Sequence, residues 1–80
     1  MNINYHQAAE LYLGSTRSAA LAQGARRFSN AAKAIRFALE EAAPVSLNGA
    51  SLRIGTRELS ATELRRLYRE ADYPLVRKAA

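Results

Sequence analysis

The stretch LRIGTRELSATELRRLYRE, Leu52 to Glu70, constrains the fold more than any other part of the chain. Two alternating segments, LRI and REL, flank Gly55 and Thr56, and glycine in the first position of a two-residue connection suits the positive φ of a type II′ turn. That turn sets a register with Ile54 opposite Arg57, Arg53 opposite Glu58 and Leu52 opposite Leu59. One face then collects Leu52, Ile54 and Leu59 with the stem of Arg57, while Arg53 and Glu58 meet on the other as an opposite-charge pair. Directly afterwards comes a helix start: Ser60 as N-cap, Glu63 three residues on to close a capping box, and Leu59 placed to staple against Leu64. Ala61, Leu64, Leu67, Tyr68 and Ala71 occupy an arc of about 120°, with Arg65, Arg69 and Arg66 running round the opposite side before Glu70 and Glu63. This spacing lets Arg66 pair with Glu63 and Glu70 and leaves Arg65 and Arg69 to repel each other. Tyr73, before Pro74, must be extended, which ends the helix and lets Leu75 and Val76 fold back over an edge of the core.

A second helix is predicted from Asn30 to about Ala42. Ala31, Ala34, Ile35, Ala38, Leu39 and Ala42 recur at helical spacing in one stripe about 160° wide. Ser29 is placed to cap its first amides, and Pro44 stops its continuation. Lys33, Arg36 and Glu40 fall on the far side. Phe37 lies off the stripe and either widens the buried face, the reading that large aromatics favour, or serves as an exposed contact.

The first third of the chain admits two readings. NYHQAAELYL fits a helix through Tyr5, Ala8, Ala9 and Tyr12 with Asn4 as cap, and AELYLG fits a strand with Ala9, Leu11 and Leu13 on one face. A two-stranded hairpin alone is marginal in water, so the fold gains from a third strand, which favours the strand. Residues 14–27 are either a mobile basic loop or contain a short helix from Ser15 to Gln23 closed by Gly24.

Eighty residues make one domain, 1–80, with residues 76–80 expected as a frayed C-terminus. The composition, 49% hydrophobic and 24% charged, is that of a globular chain, and without cysteine neither disulfides nor thiolate metal sites supplement the core. No apolar stretch approaches the roughly 20 residues a bilayer span needs, and the N-terminus lacks the basic start and apolar run of a leader. A cytoplasmic location away from membranes is the expectation. Twelve basic against seven acidic side chains give a net charge of +5, which favours anionic partners. Ten of the twelve are arginine and seventeen residues are alanine, an enrichment that GC-rich codon usage also produces.

Three segments, RRFSNAAKAIRFALEE, LNGASLRIG and LRRLYREADYPL, together resemble a group of short bacterial proteins, chiefly alphaproteobacterial, that has no assigned activity. The resemblance runs from about Phe28 to Arg77 and implies a shared small α+β fold, with no catalytic or cofactor residues to carry over.

For catalysis the inventory is poor. His6 is the single histidine, Asp72 the single aspartate, and no serine stands in a nucleophile context. Glu40 and Glu41 read as a solvated helix face rather than metal ligands, and Asn48 and Gly49 as a turn. Neither an enzymatic activity, a metal, a cofactor nor a small-molecule substrate is expected. The candidates are basic: Arg26 and Arg27 before a helix start, where free amides favour anions, Arg17 on the preceding segment, and Arg65, Arg66 and Arg69 on the last helix. The expectation is one α+β domain in the order strand, helix, hairpin, helix, with two helices on one face of a small antiparallel sheet. Its core draws on Leu11, Leu13, Phe28, Ile35, Leu39, Leu52, Ile54, Leu59, Leu64, Leu67 and Tyr68. Its expected role is a non-enzymatic module that binds nucleic acid, or another anionic partner, through phosphate contacts. The rival is a protein-interaction or regulatory adaptor, a homodimer through the sheet face or edge included.

Overall fold

Gly55 turns the chain with a φ of 59° and Thr56 keeps a negative φ, so the hairpin closes as its sequence dictates. Strands β3 (Ser51–Ile54) and β4 (Arg57–Ser60) pair antiparallel with Leu52 opposite Leu59, Arg53 opposite Glu58 and Ile54 opposite Arg57. The N-terminal segment supplies strand β1 (Ala9–Tyr12), which lies on the other side of β3 with Leu11 opposite Leu52. A further strand, β2 (Arg26–Phe28), pairs with the outer side of β1. The sheet order is β2-β1-β3-β4, and every neighbouring pair is antiparallel. This computed structural model describes residues 3–77, so the expected fraying over 76–80 falls in part outside the described residues.

Residues 14–27, open in sequence between loop and helix, hold both a helix and the start of β2. Helix α1 (Arg17–Gln23) begins after Thr16, whose hydroxyl accepts from the Ala19 amide, and ends at Gly24 with a φ of 82°. It packs close to the chain because Gly14 and Gly49 lack side chains. A Cβ on Gly14 would lie 2.4 Å from the Ala20 nitrogen, and one on Gly49 2.0 Å from the Thr16 carbonyl carbon.

Helix α2 (Ala31–Arg36) is capped by Asn30, not Ser29: the Asn30 Oδ1 accepts from the Lys33 amide at 2.8 Å. The shift has a backbone cause. Phe28 ends β2, and Asn30 is the extended residue at the helix start, with φ −149° and ψ 156°. The helix runs on into a π turn, Phe37–Glu41, closed by the Ala42 amide on the Phe37 carbonyl. That wider turn interrupts the 3.6-residue period. Ala38 is fully buried, whereas Leu39, expected in the middle of the stripe, and Phe37 are half-buried on either side. The chain is extended at Ala42, and Pro44 opens a short 3-10 turn (Pro44–Leu47) that carries Leu47 into the core.

Helix α3 (Ala61–Arg69) starts with the full capping box: Ser60 N–H donates to Glu63 Oε1 at 2.9 Å, and Glu63 N–H donates to the Ser60 hydroxyl. Leu59 and Leu64 are both buried. Leu11, Leu52 and Leu59 form a row on the inner face of the sheet and bury completely against Ile35 of α2 and Leu64 and Leu67 of α3. Ala31, Ala34 and Ala38 also have no accessible surface, because methyl-sized side chains let α2 approach the sheet closely. Tyr5, Ala9, Ala32, Leu47, Ala50, Ile54 and Tyr73 complete this core, while Leu13, Phe28, Leu39 and Tyr68 lie on its half-buried rim. Leu75 packs on that rim as expected, but Val76 is 86% exposed. The architecture is a small α+β domain: a four-stranded antiparallel sheet with helices packed against it.

Candidate anion-binding face

Strand alternation points Leu11, Leu52 and Leu59 inward and their neighbours Glu10, Arg53 and Glu58 outward. With Arg27 opposite Glu10, one row of alternating charge crosses the whole sheet: Arg27, Glu10, Arg53, Glu58. Arg27 Nε lies 3.4 Å from Glu10 Oε2, and Arg53 Nη2 lies 3.9 Å from Glu58 Oε2. Arg17, at the start of α1, joins the same row by donating from Nη2 to Glu58 Oε1 at 2.9 Å. Arg26 alternates to the other side, where its guanidinium lies 4.3 Å from the centroid of the Phe37 ring, itself packed on Phe28. Arg17, Arg26 and Arg27 therefore all have partners inside the domain. Each exposed ion pair stabilises by no more than about 1 kcal/mol.

Arg26 and Arg27 do not stand beside free helix amides at the start of α2. Arg26 and Arg27 belong to β2, and the helix amides they were to accompany are already engaged. Ala31 N–H donates to the Gln7 carbonyl at 2.8 Å, Ala32 N–H to the Tyr5 carbonyl at 3.0 Å, and Lys33 N–H to Asn30. With its donors satisfied, this helix end has little left to offer an anion.

The arginines of α3 stand differently. Leu64 and Leu67 fix the inner side of the helix, so Arg65, Arg69 and Arg66 fall together on the exposed side. Thr62 projects between Arg69 and Arg66 on the same helical arc, and a groove of about 490 Å³ is lined by Thr62, Arg65, Arg66, Arg69 and Glu70. Thr62 and Glu70 join the three expected arginines here, and the spacing of Thr62 to Arg65, Arg66 and Arg69, three, four and seven residues, is legible in the sequence. The expected pairing of Arg66 with Glu63 is not made, because the Glu63 carboxylate is held in the capping box. Among the described residues no hydrogen bond or ion pair engages Arg65, Arg66 or Arg69.

Other chemistry is sparse. Among the described residues no cluster of three or more metal-ligating side chains occurs, and His6 is exposed. Glu40 is not a free solvated group: it accepts from the Tyr68 hydroxyl and ties the end of the π turn to α3. No described helix is long and apolar enough to cross a membrane. No family model matches the chain, and comparison with curated proteins and with solved structures gives no match either.

Proposed function

We propose that this chain is a non-enzymatic basic module that holds nucleic acid by its phosphates along the exposed side of α3. The observation that carries this reading is the set of three guanidiniums that no ion pair engages among the described residues, with the Thr62 hydroxyl among them, on a helix anchored at its start by a capping box and along its inner side by two buried leucines. Arg65 and Arg69 lie one turn apart, about 6 Å along the axis, and repel each other in the absence of an anion. A polyanion relieves that repulsion and releases its own counterions on binding. The face offers no aromatic ring for base stacking, so contacts fall on the phosphate backbone and discriminate little between sequences.

The test is a titration of mixed-sequence duplex DNA and RNA at two salt concentrations. Replacing Arg65 and Arg69 together with glutamine leaves folding intact or slightly improved. It weakens binding to all sequences alike and flattens the slope of log affinity against log salt by up to about two units. A double variant that binds as tightly as the parent with the same salt slope makes these arginines a solvated face and moves the protein-interaction reading ahead.

A further inference from the structure

The alternating charge row reaches both free edges of the sheet, and its two ends have opposite sign: Arg27 on β2 and Glu58 on β4. We infer that copies of this chain add to one another head to tail, with the β4 edge of one copy pairing with the β2 edge of the next. Strand direction, hydrogen-bond phase and charge all favour this contact, and none of them involves the α3 face.

Direction comes first. Because all neighbours are antiparallel, β2 and β3 run one way and β1 and β4 the other. A second copy in the same orientation therefore brings its β2 antiparallel to β4, and the up-down alternation of the sheet continues unbroken.

The hydrogen-bond phase agrees. In a hairpin with a two-residue connection the flanking pair, Ile54 and Arg57, exchanges both backbone bonds, so Leu52 and Leu59 do as well and Arg53 and Glu58 do not. Glu58 thus turns its N–H and C=O outward, while Arg53 turns its own toward Glu10. Glu10 in turn faces β3, which leaves Arg27 with N–H and C=O directed away from β1. Among the described residues neither Arg27 nor Glu58 makes another backbone hydrogen bond. Each edge consequently presents one open donor and one open acceptor on the charged residue that ends the row.

Set opposite each other, Arg27 of one copy and Glu58 of the next exchange two backbone bonds and extend the row as plus, minus, plus, minus. Both side chains stay on the outer face, so the helices of successive copies stay on one side. Pairing β2 with β2 in this phase would oppose Arg27 with Arg27, and pairing β4 with β4 would oppose Glu58 with Glu58, so two-fold dimers through either edge are disfavoured. The contact that remains is heterologous and propagates. Because β2 has three residues, the contact falls well below the roughly 1,000 Å² of a stable complex, so assembly is weak and belongs to concentrated solution. Salt screens both the net repulsion between basic copies and the attraction of Arg27 for Glu58, so charge reversal discriminates better than ionic strength.

The experiment is sedimentation equilibrium of the full chain from about 20 µM to about 1 mM. The parent's average mass rises with concentration and passes that of a dimer. Arg27→Glu alone and Glu58→Arg alone stay monomeric, because like charges then face each other at the contact. An equimolar mixture of the two associates, since the acidic edge of one now meets the basic edge of the other. Circular dichroism reports whether each variant is folded. Should a reversal unfold the chain, Arg27→Pro replaces it: its amide points away from β1, so it blocks the edge without removing a ladder bond, and it too is monomeric. A parent that stays monomeric at the highest concentration, a mass that stops at the dimer, single variants that assemble like the parent, or a mixture that does not associate would each overturn the inference.

Discussion

Tyr5 and Tyr73 show how much one atom's surroundings decide. Both rings are buried and meet edge to face with centroids 5.8 Å apart. The Tyr73 hydroxyl donates to the Ala32 carbonyl at 2.7 Å, whereas the Tyr5 hydroxyl has the Asp72 carboxylate nearby without forming a well-aligned hydrogen bond to it. Removing the same oxygen therefore has different expected outcomes. Tyr73→Phe lowers stability by about 1 kcal/mol, and Tyr5→Phe costs less or nothing, because a buried hydroxyl without a well-formed hydrogen bond contributes little. Urea midpoints at neutral pH decide the matter; equal losses from both would mean that the Tyr5 hydroxyl is well bonded too. The pH dependence follows from burial, which pushes the Tyr73 phenol up to about 12. In the unfolded chain it titrates near its ordinary value of about 10, so above that pH the unfolded state holds fewer protons than the folded state. The stability this tyrosine contributes is complete below pH ~10 and is lost as the pH rises toward about 12, and Tyr73→Phe shows a shallower decline across that window.

At the scale of elements, what the sequence reveals depends on how far apart the partners stand. The β3–β4 register and the capping box of α3 are set by residues within a few positions of each other, and both can be read directly. Gly55→Val accordingly destabilises the hairpin more than Thr56→Val. The one close neighbour of a new Cβ at position 55 is the end of the flexible Gln7 side chain, so the penalty comes from the φ of 59°. Ser60→Ala costs about 1 kcal/mol by removing the cap of α3. Thermal denaturation separates these cases, and equal effects at 55 and 56 would refute the turn. Strand β2 is different. Arg26, Arg27 and Phe28 have no apolar alternation to announce a strand, and they become one because β1 offers an open edge. The choice between Ser29 and Asn30 as cap depends on where that strand ends, and the π turn follows from packing on α3, where Glu40 meets Tyr68. Of the candidate site, the α3 arginines are legible because a helix projects them by arithmetic. The engagement of Arg17 is not, since its partner Glu58 lies 41 residues away.

For the whole molecule the sheet order matters most. The two central strands, β1 and β3, are separated by about forty residues of chain, while β3, β4 and α3 follow one another directly. Closing the long loop carries an entropic cost before its contacts form, so the hairpin with α3 is expected to organise first and β1 to dock on it. Leu64→Ala should then slow refolding, whereas Leu11→Ala, an equally buried deletion, should mainly speed unfolding. Stopped-flow kinetics across a denaturant series measures both, and a refolding rate equally sensitive to Leu11 would place β1 in the nucleus. The same order has a consequence during synthesis. At roughly 5 to 20 residues per second, β1 is made, and emerges from the ribosome, some 2 to 8 seconds ahead of β3. In that interval its only sheet neighbour is the three-residue β2, and a ribbon of two such strands is marginal in water. The nascent chain therefore spends seconds with Leu11 uncovered, open to proteases and holding factors, and becomes resistant to both only as its last third emerges.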